Sequence, residues 1–147
     1  MSFQRILVPV DFSDHSSQAL EMARELAKAF GSKLILLHCY QVSPGAISPY
    51  GIVLPEGFDR EVREAAAGRL EEWRGKASEG GVDAEARLSA TFPSMGISDA
   101  ATEEKADLVV MGTRGLSGLK HVLLGSVAER TLRAAPCPVL TVKQGDA

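Results

Sequence analysis

Short apolar runs that alternate with stretches of helical periodicity constrain this chain more than any other feature of its sequence. RILVPV at 5–10, KLILLHC at 33–39, DLVVM at 107–111 and CPVLTV at 137–142 are short, nearly continuous and rich in Val, Ile and Leu. Such runs predict strands, and KLILLHC, apolar on both faces, predicts one covered by helices on both sides, as in a parallel sheet. Pro9 cannot donate to a sheet ladder, so it is expected close to the carboxyl end of the first strand. VDAEARL at 82–88 mixes polar and apolar positions and predicts an exposed, edge-like strand.

Helices are predicted between these runs. The first starts at a Ser13 or Asp14 cap and carries Ala19, Leu20, Met22, Ala23, Leu26, Ala27 and Phe30 at helical spacing, with Gly31 as its stop. The second covers 58–77 with Val62, Ala65, Ala66, Leu70 and Trp73 on one side, and Gly80-Gly81 ends it. A third over 94–105 uses Ile97, Ala100 and Ala101, and a fourth covers 126–134. The resulting order β-α-β-α-β-α-β-α-β requires crossover connections and predicts a layered α/β sandwich.

Length and charge narrow the class. The 147 residues, 45% of them hydrophobic, suffice for one core and not for two ordinary domains, so a single domain over 1–147 is expected. A formal charge of −3 directs the chain toward neither nucleic acid nor an anionic membrane. Two cysteines are too few for a disulfide framework, no apolar stretch is long enough to span a bilayer, and no secretory leader precedes the first run. A cytoplasmic protein is expected. The segment 41–57 is rich in Pro, Gly and Ser and is expected to be mobile, as is a frayed tail over 144–147.

In open parallel sheets ligands sit at the carboxyl ends of strands, near the point where strand order reverses. Asp11, Cys39 and Gly112 follow three such ends. Gly112 opens the richest segment of the chain, MGTRGLSGLKHVLLGSVAE at 111–129, where Gly112, Gly115 and Gly118 allow close approach of backbone amides to a bound group. Ser126 has Glu129 three residues later, the spacing of a capping box. The same turn offers free helix amides that, with Gly125 and Ser126, suit phosphate oxygens. Both readings stand at this point.

The blocks together resemble the universal stress protein family over essentially the whole chain. Gly112-Thr113-Arg114-Gly115, nine intervening residues and Gly125-Ser126 match the glycine-x2-glycine-x9-glycine-serine motif of its ATP-binding branch. ILVPVDFS at 6–13, ADLVVMGTRG at 106–115 and APCPVLTV at 135–142 match as well. The resemblance implies a three-layer α/β/α sandwich, adenine nucleotide alpha hydrolase-like, with a five-stranded parallel sheet of order 3-2-1-4-5. It implies ATP, or AMP or ADP, across the ends of strands one and four, with Mg or Mn beside the phosphates. By that likeness Asp11 lies by adenine and ribose, Cys39 offers its backbone to the base, and Pro9 lines the ribose region, with Val10 also among the nucleotide-binding positions. Met111, Gly112, Gly115, Gly125, Ser126 and Val127 surround ribose and phosphates. A homodimer through strand 138–142 and a regulatory role in stress response are also implied. Thr91 departs from the pattern, since many relatives carry glycine two residues before the proline that precedes the third helix.

Plainer roles stand beside these. Asp11 also suits a turn acceptor, and Arg114, Lys120 and His121 suit either phosphate or a solvated face. His38 inside an apolar strand is expected to be a packed, hydrogen-bonded histidine, Cys39 and Cys137 small hydrophobes, and Trp73 a core residue. No Walker A stretch, G-x-G-x-x-G, zinc spacing or nucleophile elbow occurs. Nothing identifies a nucleophile for phosphoryl transfer. Slow ATP hydrolysis and a dimeric scaffold without nucleotide are the alternatives.

Overall fold

A computed structural model of the chain describes residues 2–41, 57–115 and 124–144. Most of the connection expected to be mobile, with Gly118, Lys120, His121 and nearly all of the expected tail, lies outside the described residues. The elements run β1 (Arg5–Pro9), α1 (Asp14–Phe30), β2 (Lys33–Cys39), α2 (Phe58–Ala77), β3 (Asp83–Ser89), α3 (Pro93–Glu103), β4 (Leu108–Gly112), α4 (Ser126–Ala134) and β5 (Val139–Val142). The strands form one parallel sheet of order β3-β2-β1-β4-β5. The chain builds outward from β1 to β3, then returns to the other side of β1 for β4. Strand order therefore reverses between β1 and β4, the crevice where open α/β sheets bind ligands.

The period-2 pleat sends alternate side chains to two cores. Ile6, Val8, Val10, Leu34, Leu36, Leu108 and Val110 join α1 and α2 on one face. Leu7, Ile35, Leu37, Val109 and Met111 join α3 and α4 on the other. The three central strands are apolar without alternation because both faces are covered. Pro9 ends β1, and the next amide, Val10 N–H, donates to Leu37 O at 2.8 Å, so the missing proline donor leaves no gap within the ladder.

Helix signals are only partly realised. Ser13 caps α1 by accepting from Ser16 N, and Gly31 closes it with φ +68°. Met22 and Phe30, predicted on the inner stripe, are 43% and 44% exposed; Ala19, Leu20, Ala23 and Ala27 fill the buried face of the helix, with Leu26 packed beside them. On α2 only Leu70 and Ala77 are buried, and Ala65 is exposed, since this helix covers one flank of the sheet rather than its centre. β5 begins at Val139 rather than Cys137, and Pro138 contributes only its carbonyl, to Val109 N. Edge strand β3 is guarded by charge: Glu85 pairs with Lys33 at 2.8 Å, and Arg87 reaches Glu103 and Glu104. Glu104 also binds Arg5 at 2.7 Å, so one carboxylate ties α3 to both β1 and β3.

Candidate functional site

A cavity of about 440 Å³ opens at the carboxyl ends of the central strands. β1 and the turn after it supply Pro9, Val10 and Asp11; β2 supplies Cys39; β4 supplies Met111 and Gly112. Arg114 and Gly115 follow β4, while Gly125, Ser126 and Val127 come from the start of α4. All eleven residues singled out in the sequence thus border one space. Ser16, Leu37, Pro93, Ile97, Thr113 and Ala128 border it too and were not singled out. Thr113 could have been read from its place inside the glycine motif. Ile97 could not, because only the docking of α3 on the sheet brings it there.

The glycines owe their identity to contacts within the chain. A Cβ at Gly112 would lie 2.9 Å from His15 Cβ and 3.0 Å from His15 O, so the bare position lets α1 seat against β4. A Cβ at Gly115 would lie 2.3 Å from Asp11 Oδ2. At Gly125 it would approach Thr113 O at 3.2 Å, the carbonyl that accepts Gly125 N–H at 2.6 Å. Close packing of the turns, rather than positive φ, disfavours a side chain at Gly112 and Gly115 and leaves a tight fit at Gly125.

The capping box does not form. Gly125 is the N-cap of α4, with φ −71° and ψ 164°, and no side chain caps this end. Ser126 is the first helical residue, one position too late to cap, and Glu129 pairs with Arg133 at 2.9 Å instead. Ser126, Val127 and Ala128 carry amides that a helix start leaves without intrahelical acceptors, and all three residues border the cavity. The helix dipole adds partial positive charge there, which suits an anion. Thr113 Oγ1, shielded from solvent in the adjoining turn, has no hydrogen-bond partner among the described residues.

Asp11 fills its plainer role while bordering the cavity. Its Oδ1 accepts from Ser13 N at 3.0 Å and from Ser16 Oγ at 2.6 Å, and its own N–H donates to Ser16 Oγ at 2.9 Å. Phe12, the next residue, has φ +66°. Its ring leaves the cavity and packs on His38 at 4.4 Å and Trp73 at 5.5 Å, with the Arg69 guanidinium 4.4 Å from its centroid. His38 is hydrogen-bonded as expected: its Nδ1 donates to Val10 O at 2.8 Å. Trp73 is partly buried against the core under α2.

Cys39 borders the cavity at the end of β2. Burial pushes its thiol up to about 11, opposed by a hydrogen bond from Thr91 and the charge of Arg87. Thr91 does not border the cavity; its hydroxyl bonds Ser89 Oγ at 2.7 Å, beside Gly96, whose missing side chain leaves room for both Thr91 and Cys39. The folded state favours the protonated thiol, so this group costs stability only as pH climbs from about 9 toward about 11. Iodoacetamide is expected to label Cys39 at least tenfold more slowly than an unfolded thiol at pH 8, read by peptide mass spectrometry, with the difference shrinking toward pH 11. Equal rates in folded and unfolded protein would contradict the burial assigned here.

Among the described residues no group of three or more His, Cys, Asp or Glu side chains is placed to hold a metal ion. No described helix is long and apolar enough to cross a membrane.

Comparison with known proteins matches residues 2–143 to the description "Universal stress protein family". Universal stress protein YxiE of Bacillus subtilis is 38% identical over 147 residues, covering 96% of this chain and 99% of its own. The structure of hypothetical protein MJ0577, from Methanocaldococcus jannaschii, superposes with a TM-score of 0.85 at 25% identity, over 100% of both chains. A universal stress protein from Archaeoglobus fulgidus, solved in complex with dAMP, has a TM-score of 0.70 at 27% identity, covering 97% of this chain and 100% of its own.

Proposed function

We propose, from the premise that this chain belongs to the universal stress protein family, that it binds an adenine nucleotide, ATP foremost, and serves as a regulatory protein of stress response. The observation that carries this reading is the uncapped start of α4 facing the cavity at the β1–β4 switch point. The phosphates would lie against the amides of Ser126, Val127 and Ala128 and the Gly112–Gly115 turn, with Arg114 adding charge. The base would lie toward Cys39, Pro93 and Ile97, where the lining is mostly apolar. The dAMP complex of the A. fulgidus relative supports an adenine ligand. A divalent Mg or Mn ion would arrive on the phosphate oxygens, since the described residues form no carboxylate cage for it.

β5 is the edge without charge: Val139–Val142 reads VLTV, with Leu140 37% exposed, whereas β3 is laced with ion pairs. An open edge of that kind favours pairing with a second copy, and a homodimer through 138–142 is part of the proposal. The free thiols at Cys39 and Cys137 suit a reducing, cytoplasmic compartment.

Calorimetric titration with ATP and GTP tests the binding. Saturable heat with ATP and at least tenfold weaker GTP binding is expected; no ATP binding would leave the scaffold reading. Incubation with ATP and magnesium tests for chemistry, and turnover faster than about 1 s⁻¹ would reclassify the protein as an enzyme.

A further inference from the structure

Two residues other than glycine have positive φ among the described residues, Phe12 at +66° and Lys105 at +53°. Lys105 has a local reason. It follows the C-cap of α3, and the bonds Lys105 N to Thr102 O and Ala106 N to Ala101 O close that helix end in a Schellman pattern. Phe12 ends no helix. A bulky side chain in the left-handed region is an outlier that persists only when its surroundings enforce it.

The Phe12 ring is held by the His38 ring, the Trp73 indole and the Arg69 guanidinium, drawn from β2 and α2. His38 is itself anchored to Val10 O, two residues before Phe12. The left-handed residue lets the chain send Phe12 into the α1–α2 side while Asp11 stays at the cavity wall. Asp11 then meets Ser13 N and Ser16 Oγ through Oδ1, and Oδ2 occupies the space left by Gly115. We propose that Phe12 is a positioning residue for nucleotide binding: its clamped ring holds the strained turn that sets the Asp11 carboxylate in the cavity. The inference rests on the nucleotide-binding reading and adds to it a residue that does not touch the ligand.

The test compares Phe12→Ala with Phe12→Gly. Both lack the ring, but only glycine adopts positive φ without strain. If Phe12 merely packs, the two bind ATP alike, or glycine is worse because it loosens the unfolded chain. If it positions Asp11, alanine relaxes out of the left-handed region and loses affinity by about five- to thirtyfold, while glycine recovers most of that loss. The gap between the two variants closes in an Asp11→Ala background, because the effect runs through that carboxylate. Hydrogen exchange at the Ser13 amide, bonded to Asp11 Oδ1, gives a readout that needs no ligand: faster in the alanine variant than in the glycine variant. Equal ATP affinities, or a gap that survives without Asp11, would overturn the proposal. Should the wild-type protein bind no ATP, the nucleotide reading falls alone and Ser13 exchange decides: alanine faster upholds the role of Phe12, and equal rates end it.

Discussion

Substituting Gly115 by alanine is expected to weaken ATP binding by about 10- to 100-fold, roughly 1.4–2.8 kcal/mol, with the fold retained. The new Cβ would stand 2.3 Å from Asp11 Oδ2, well inside contact distance. Asp11 has a short side chain whose other oxygen is held by Ser13 N and Ser16 Oγ, so it cannot swing aside without breaking those bonds. Either the carboxylate leaves its place or the turn carrying Arg114 and Gly115 moves off the cavity. Both damage the proposed site, and neither reaches the sheet. Unfolding stability should change by less than about 1 kcal/mol. Calorimetry and urea denaturation read the two quantities separately, and unchanged affinity would remove this turn from the binding site.

Gly112→Ala is expected to do the reverse in emphasis. Its Cβ would meet His15 at Cβ 2.9 Å, carbonyl oxygen 3.0 Å and carbonyl carbon 3.1 Å. Two of those atoms are backbone in the first turn of α1, so no side-chain rotation relieves the clash. The helix start has to shift away from β4, and overpacking of this kind costs about 1–3 kcal/mol. A fall of about 5 °C in the thermal midpoint is the corresponding observable. Ser13 and Ser16 move with the helix, so affinity should fall as well, but after stability. A variant as stable as wild type would show that α1 does not depend on this contact.

These substitutions explain why the motif was legible as a site and only partly legible as a mechanism. The spacing of Gly112, Gly115 and Gly125 marked the place where strands meet ligand, and the cavity lies there. The sequence suggested that bare backbone makes room for a bound group. In the structure each missing side chain first makes room for the protein itself: His15, Asp11 and Thr113. The capping box failed for a related reason. A Ser-x-x-Glu spacing says nothing of where the helix begins, and the bond of Gly125 N to Thr113 O places the cap one residue earlier than the motif implies. Phe12 carried no signal at all, because φ is not written in residue type when the residue is not glycine.

Strands, helices and their order were settled locally. The continuous apolar runs of β1, β2 and β4 mark buried strands, Gly31 stops α1, and nine alternating elements suit a parallel sheet between layers. Those are short-range consequences of side-chain chemistry and backbone sterics, and the sequence by itself determined them. Tertiary structure decided which segments meet: Asp11 against Gly115, α1 against Gly112, Pro93 and Ile97 lining one cavity with the start of α4, Phe12 locked between His38 and Trp73. Each of these contacts joins segments far apart in the chain. Their distances follow from how helices seat on a twisted sheet, a collective packing outcome that no local pattern encodes.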